Sequence, residues 1–168
     1  MDTLVVLLRV VHVVFGIYIA GSYLFMVPIL EPRLKRLGPA TQSSVMRALM
    51  PILTPINAIS FIIIIGTGMA MTLIMRSGAL NTLFITAWGW AMIIGLAATV
   101  AAGVVGFGFL MPTGLRMDKL GRNIEGRAPN PDEGKQLHQL SARVETLSRV
   151  NLVLIVIALA TMVASRYV

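Results

Sequence analysis

Residues 4–30 read LVVLLRVVHVVFGIYIAGSYLFMVPIL, an apolar run that carries two basic side chains, Arg9 and His12. A helix of about 20 apolar residues crosses the roughly 30 Å hydrocarbon core of a bilayer, so this run predicts a transmembrane helix. Polar side chains at membrane depth are costly and are functional candidates for that reason. His12 is therefore the first side chain to weigh for function.

Three more apolar segments follow, each long enough for a helix and bounded by charges or by Pro and Gly. The four segments predict helices at about residues 4–30, 49–75, 83–111 and 132–168, the last with a polar extension before about residue 149. With 57% hydrophobic residues, 12% charged residues and a mean hydropathy of +0.84, the chain has no room for a separate soluble domain. We predict one all-α domain, an antiparallel four-helix bundle integral to the membrane.

The polar connection before the fourth segment contains two prolines, Pro129 and Pro131, which stop a helix. Asp132 and Glu133 then suit a new helix N-terminus, and apolar residues recur after them at spacings of three and four. The fourth helix is expected to begin outside the bilayer and to enter it near Arg149.

The net charge of +7 comes mostly from two connections between the predicted helices. Their basic residues are Arg33, Lys35, Arg36 and Arg47 in the first, and Arg116, Lys119, Arg122, Arg127, Lys135, Arg143 and Arg149 in the second. The positive-inside rule makes both connections cytoplasmic and both termini external, in a multi-pass protein of the plasma (bacterial inner) membrane. Basic residues there suit contact with anionic membrane lipids, whereas the lack of interleaved aromatics argues against nucleic acid.

Several kinds of chemistry are excluded or not indicated. The chain has no cysteine, which excludes disulfides, zinc-thiolate sites and cysteine-ligated iron–sulfur clusters. Any metal must then be held by His, Met or carboxylate. We find no phosphate-binding loop, no nucleophile with a neighbouring base and no paired intramembrane carboxylates, so the sequence does not indicate an enzyme.

His12 belongs to a stripe of helix one that combines basic, small and phenolic side chains. Its members, by spacings of three and four, are Arg9, His12, Gly16, Ile19 and Tyr23. This face is expected to point into the bundle, and we predict that His12, Arg9, Gly16 and Tyr23 bind a cofactor. The alternative is a neutral His12 bonded to another helix, with Arg9 reaching to the outer interface.

Methionines from three helices are expected near the depth of His12, in the outer half of the bundle. Imidazole and thioether together suit soft copper or, as a His/Met pair, haem iron. The predicted metal ligands are His12, Met71, Met92 and Met162. Methionine is also a common packing residue, so at most a subset can converge. His138 lies on the cytoplasmic extension, which excludes a haem held by both histidines of one chain.

Small and polar residues predict close helix packing in the second half of the bundle. Gly95, Thr99 and Gly103 recur every fourth residue of helix three, as do Ala102 and Gly106, so this helix is expected to form a tight seam. The polar segment 54–60 of helix two is expected to hydrogen-bond Asn151 of helix four.

The first span also resembles a known group of membrane proteins. A His early in helix one, Gly21 nine positions later, then Phe25, Pro28 and a basic loop are similar to the opening helix of the CopD copper-resistance and HemJ-type protoporphyrinogen oxidase group. The resemblance covers residues 1–75. It implies haem b binding at the helix-one His, which maps to His12. HemJ-type enzymes also rely on a Lys in a later span, and helix three here has none.

Three functions remain open from the sequence. The first is a haem b or copper protein, with its site around His12, in a membrane redox or haem- or copper-handling process. The second is a non-catalytic accessory subunit without a cofactor, packed against other membrane subunits, pigments or quinone. The third is a permease for copper or a small solute, which would require a homo-oligomer to form a pore.

Overall fold

The described part of the chain contains four long, continuous helices. The computed structural model describes residues 3–76, 83–124, 126–127, 129–165 and 167. The helices are α1 (Thr3–Arg36), α2 (Pro39–Arg76), α3 (Ala87–Asn123) and α4 (Pro131–Ala164), and each is long and apolar enough in part to cross a membrane. No strand occurs in these ranges. The prediction of an all-α fold with four such helices is confirmed.

Three helices run further than their apolar segments. Helix α1 continues past residue 30 to Arg36, α2 begins at Pro39 rather than at 49, and α3 passes 111 to end at Asn123. Much of both basic connections is therefore helical, which corrects the expectation of loops there. Hydropathy identifies only the apolar part of a helix, which fits a bilayer, so it does not detect an amphipathic continuation of the same helix. The turn Arg76–Asn81 is expected outside the cell, and its residues 77–81 lie outside the described residues, as do Thr82 and Arg166.

A glycine makes the turn between α1 and α2. Gly38 has a φ of +95°, in the left-handed region that side chains other than glycine rarely adopt. Its N–H donates to the Lys35 carbonyl at 3.3 Å, and the Leu37 N–H donates to the Leu34 carbonyl at 3.1 Å. These bonds use the last carbonyls of α1, so the helix ends there and the chain turns directly into α2.

Helices α1 and α3 each contain a π-helical segment, Met26–Leu30 and Val104–Leu110. In each case the next residue but one is a proline, Pro32 or Pro112. Proline lacks an N–H, and its ring crowds the carbonyl one turn earlier, so a wider turn ahead of it relieves the clash. The two helices consequently widen at this point and continue without a break.

The contacts between helices define two ends of the bundle. Pairs at one end are Arg9 with Met75 and Gly95 with Thr161, and pairs at the other are Lys35 with Glu145 and Arg47 with Asp118. We call these the His12 end and the basic end. Each helix thus lies beside a sequence neighbour that runs in the opposite direction. The closest packing is of α1 on α2 and of α3 on α4.

The core lies where all four helices meet. Its buried residues are Ile19, Ala20, Phe61, Ile64, Ala102 and Ile155. The rings of Phe61 and Phe107 pack edge to face, with centroids 5.8 Å apart. Gly95, Thr99, Ala102 and Gly106 of α3 are buried as the small-residue pattern predicts, whereas Gly103 is only half-buried beside that stripe.

Candidate functional site

His12 is half-buried between α1 and α2 and is tied to α2 by its ring. Its Nδ1 lies 2.9 Å from the Thr67 hydroxyl oxygen, and that hydroxyl donates its only hydrogen to the Ile63 carbonyl at 2.6 Å. A Thr67 hydroxyl that donates to Ile63 accepts from His12, and in this arrangement the imidazole hydrogen is on Nδ1 and the Nε2 lone pair of the neutral ring is free.

A glycine allows the imidazole to lie this close to α2. A Cβ at Gly68 would be 3.2 Å from Cε1 of His12, tighter than an ordinary van der Waals contact. Thr67 and Gly68 therefore both lie at the Nδ1–Cε1 edge of the ring. Both restraints come from consecutive residues of one helix, so the orientation of His12 depends on how α1 and α2 pack.

Two further predicted residues belong to the same side of the bundle. The Arg9 guanidinium is exposed one turn nearer the helix start, with Nη2 4.0 Å from the Met75 sulfur. Thr67, Met71 and Met75 recur every fourth residue and share the face of α2 that meets α1. Met71 thus lies between the His12 and Arg9 contacts. We call Arg9, His12, Thr67, Gly68 and Met71 the α1–α2 seam.

Gly16 and Met162 lie together in a different place. They line a small apolar cavity of about 40 Å³ in the middle of the bundle, with Phe61, Thr99 and Ile155 among its other walls. Met92 is half-buried on α3, which packs mainly against α4. By spacing, Met71 lies on the α2 face that meets α1, whereas Met162 lines the central cavity beside Gly16.

Tyr23 is also separate from His12. It lies about 16 Å further along α1 at a rise of 1.5 Å per residue. Its hydroxyl accepts from Nδ2 of Asn151, at 2.8 Å. Asn151 is fully buried, and its Oδ1 has no hydrogen-bond partner in the described part of the chain. The predicted hydrogen bond between Asn151 and segment 54–60 of helix two is wrong. Asn151 bonds Tyr23 of α1 instead, and Ser60 donates to the Ile56 carbonyl of its own helix.

A row of polar groups continues from Asn151 to the basic end, and the sequence interpretation missed it. Ser148 is buried one turn from Asn151 towards the basic end and lies near the half-buried Glu31 of α1. Lys35 and Glu145 form an ion pair beyond them. A signal was available, since Glu31 and Lys35 on α1 and Glu145 and Ser148 on α4 each share one helix face. These residues lie outside the apolar segments that hydropathy identifies, so the prediction from sequence did not include them.

The side chains of the seam are better suited to binding a single metal ion than to enclosing a haem inside the bundle. In the described residues, no cluster of three His, Cys, Asp or Glu side chains could hold a metal, so a site at the seam would use His12 with a thioether. The central cavity of about 40 Å³ has room for roughly one water molecule. A haem bound by His12 would accordingly lie on the exposed side of the seam. His138 is exposed on α4 at the basic end and is remote from it.

Comparison with known proteins found no matching family model, and no curated protein or solved structure matches the chain.

Proposed function

We propose that the protein is a multi-pass protein of the bacterial inner membrane that binds haem b or a copper ion at the α1–α2 seam through Nε2 of His12. It would serve a membrane redox process or the handling of haem or copper. The observation that carries the proposal is the hydrogen bond between Nδ1 of His12 and the Thr67 hydroxyl, at 2.9 Å.

This hydrogen bond is typical of metal-ligating histidines. Such a histidine usually donates its second ring N–H to a fixed acceptor, which selects the tautomer and orients the coordinating nitrogen. Thr67 is fixed in turn by its own bond to Ile63. A histidine that served only to join two helices would need one such bond, but it would not need Gly68 to admit the ring edge-on against α2.

The other seam residues supply complementary groups. Met71 offers a thioether on the helix face that carries Thr67, and imidazole with thioether suits Cu(I) or haem iron. Arg9 is placed to bind a haem propionate by charge-assisted hydrogen bonds. Bound haem or copper would supply one-electron redox chemistry, and the chain's own residues would hold it, set its orientation and limit its access to water.

The first test is the visible spectrum and metal content of the full chain purified from haem- and copper-replete cells. We expect either a Soret band with the reduced α-band of b-type haem, since a chain without cysteine cannot attach haem covalently, or about one copper ion per chain. His12→Ala should abolish the signal, and the matched control His138→Ala should leave it unchanged.

Two further variants separate ligation from simple packing. Thr67→Val keeps the shape of the side chain but removes the acceptor, and we expect cofactor retention to fall by about 10- to 100-fold, as for other groups that orient a ligand. Arg9→Gln should weaken retention of haem but not of copper. Equal retention in wild type and Thr67→Val would contradict the proposed role of the hydrogen bond.

A second candidate is a non-catalytic accessory subunit that binds no cofactor. The tightly packed interior favours it, because the central cavity holds roughly one water molecule and the helix exteriors are largely apolar. A colourless preparation without copper would refute the cofactor proposal and leave this candidate.

A further inference from the structure

A cleft lies between α3 and α4 at the basic end, remote from His12. It has a volume of about 350 Å³, and it is lined by Arg116, Leu120, Gln136, Gln139, Leu140 and Arg143. The α4 residues follow spacings of three and four and so form one face of that helix, opposite Arg116 and Leu120 of α3. We call it the arginine cleft.

Its two arginines lie at nearly the same level of the bundle. Gly106 of α3 is packed against Asn151 of α4. Arg116 lies about 15 Å beyond Gly106, and Arg143 about 12 Å beyond Asn151, at 1.5 Å per residue. Two guanidinium groups therefore face one cleft from adjoining helices.

Three carboxylates near the cleft are engaged by other cations. Asp118 pairs with Arg47 and Arg122, Glu133 pairs with Arg127, and Glu145 pairs with Lys35 and Arg149. In the part of the chain that the structure describes, no carboxylate forms an ion pair with Arg116 or Arg143. Like charges that share a cleft repel each other unless an anion lies between them. Among the described residues, Arg116 and Arg143 thus have no paired carboxylate, whereas the neighbouring cations Lys35, Arg47 and Arg127 each have one.

The donors of the cleft fit one kind of anion. A guanidinium presents a planar fork of N–H groups that matches phosphate, and the Gln136 and Gln139 amides add neutral donors. Leu120 and Leu140 give the cleft an apolar floor. We propose that the arginine cleft binds a phosphate group, held between Arg116 and Arg143.

The position of the cleft is compatible with two sources of phosphate. The apolar part of α3 reaches about residue 111, and that of α4 begins near Arg149. Headgroup layers add about 5–7 Å to each side of the hydrocarbon core, within reach of extended arginine side chains. The phosphate can therefore belong to an anionic lipid or to a soluble molecule. This inference does not depend on the proposed function of the α1–α2 seam.

The test measures melting of the full chain in neutral detergent, at constant ionic strength, by tryptophan fluorescence. The probes are phosphatidylglycerol, phosphatidylcholine with the same acyl chains, inorganic phosphate and chloride. Arg116→Gln and Arg143→Gln are the test variants. Arg36→Gln is the matched control, since it removes the same charge from an exposed position at the same end.

We expect phosphatidylglycerol, alone or together with inorganic phosphate, to raise the melting temperature of wild type, and phosphatidylcholine and chloride to leave it unchanged. Each test variant should weaken the apparent affinity about tenfold or more, because each loses a charge-assisted contact. Without any probe, the test variants should melt above wild type, since the repulsion is relieved. Protection by phosphatidylglycerol alone identifies a lipid headgroup, and protection by inorganic phosphate as well identifies a soluble ligand. No protection of wild type, or equal affinity in Arg116→Gln, Arg143→Gln and Arg36→Gln, overturns the proposal.

Discussion

Gly95 brings α3 and α4 close together at the His12 end. A Cβ at this position would lie 2.8 Å from the Thr161 hydroxyl oxygen, which donates to carbonyls of its own helix. Thr161 would have to rotate away and lose that bond, or the helices would have to separate. Gly103, on the same helix, is different, because its nearest neighbour would be the Phe61 ring at 4.0 Å.

Gly95→Ala should therefore destabilise the protein, and Gly103→Ala should not. Overpacking a close contact costs about 1–3 kcal/mol. Replacing a helical glycine by alanine elsewhere favours the helix by up to about 1 kcal/mol. Thermal unfolding in detergent of the two variants gives the comparison. A Gly103→Ala protein that melts no higher than Gly95→Ala would show that the contact with Thr161 does not limit packing.

At the residue scale, the sequence predicted which side chains contact other helices, but it did not predict the residues that they contact. His12, Asn151 and the small residues of α3 were identified from type and spacing. Their partners depend on the rotation of each helix about its own axis, which periodicity fixes only within one helix. Hence Asn151 was expected to bond helix two but bonds Tyr23 of α1.

The N-terminus of α4 is determined by side chains that are close to it in sequence. The Asn130 side chain accepts from the Glu133 N–H at 2.8 Å, and the Glu133 carboxylate accepts from the Asn130 N–H at 2.9 Å. Arg127 donates twice to the same carboxylate, at 2.8 and 2.6 Å. The helix begins at Pro131, one residue before the predicted start at 132. The donors and acceptors of this capping box lie within three residues of each other, so the local sequence is enough to predict where the helix starts.

The capping box predicts a pH dependence of α4. The Arg127 hydrogen bonds, followed by the Asn130 N–H, lower the pKa of Glu133 from 4.5 to about 2. A lowered folded-state pKa stabilises the folded end above the unfolded pKa, and this contribution disappears as the pH falls from about 4.5 through 2. A spin label at Asp132→Cys should therefore become more mobile over that interval.

Glu133→Gln is the control, since it keeps the side-chain length but cannot titrate. The label in this variant should be mobile already at pH 6 and should change little on acidification. If the label followed the same pH profile with and without Glu133, another group would control the end of the helix. The chain has no cysteine of its own, so the label is unique.

The π-helical segments show what sequence patterns leave out at the scale of an element. Pro28, Pro32 and Pro112 were visible, and proline commonly ends a helix. Here α1 and α3 continue through these positions with a π-helical segment in each, and α2 continues through Pro51 and Pro55 as a regular α-helix. Tertiary packing decides between a break and a π-helical turn, and a single segment of sequence does not contain that information.

For the whole molecule, the number of spans followed from hydropathy, whereas orientation depends on the distribution of charge. The basic end carries most Lys and Arg residues, and several are paired there, as in Arg47 with Asp118 at 3.2 Å. Pairing lowers the net charge of that end but does not reverse its excess over the His12 end. We therefore expect the basic end to lie in the cytoplasm and the His12 end to face outward.

Single cysteines test this orientation without interference from native thiols. Tyr167 is 80% exposed beyond the end of α4, and Asn123 is exposed at the end of α3. A membrane-impermeant maleimide applied to intact cells should label Tyr167→Cys but not Asn123→Cys, and both should react after lysis. The reverse pattern would place the basic end outside. It would also move His12 to the inner half of the membrane, so that a cofactor at the seam would exchange electrons with cytoplasmic rather than external partners.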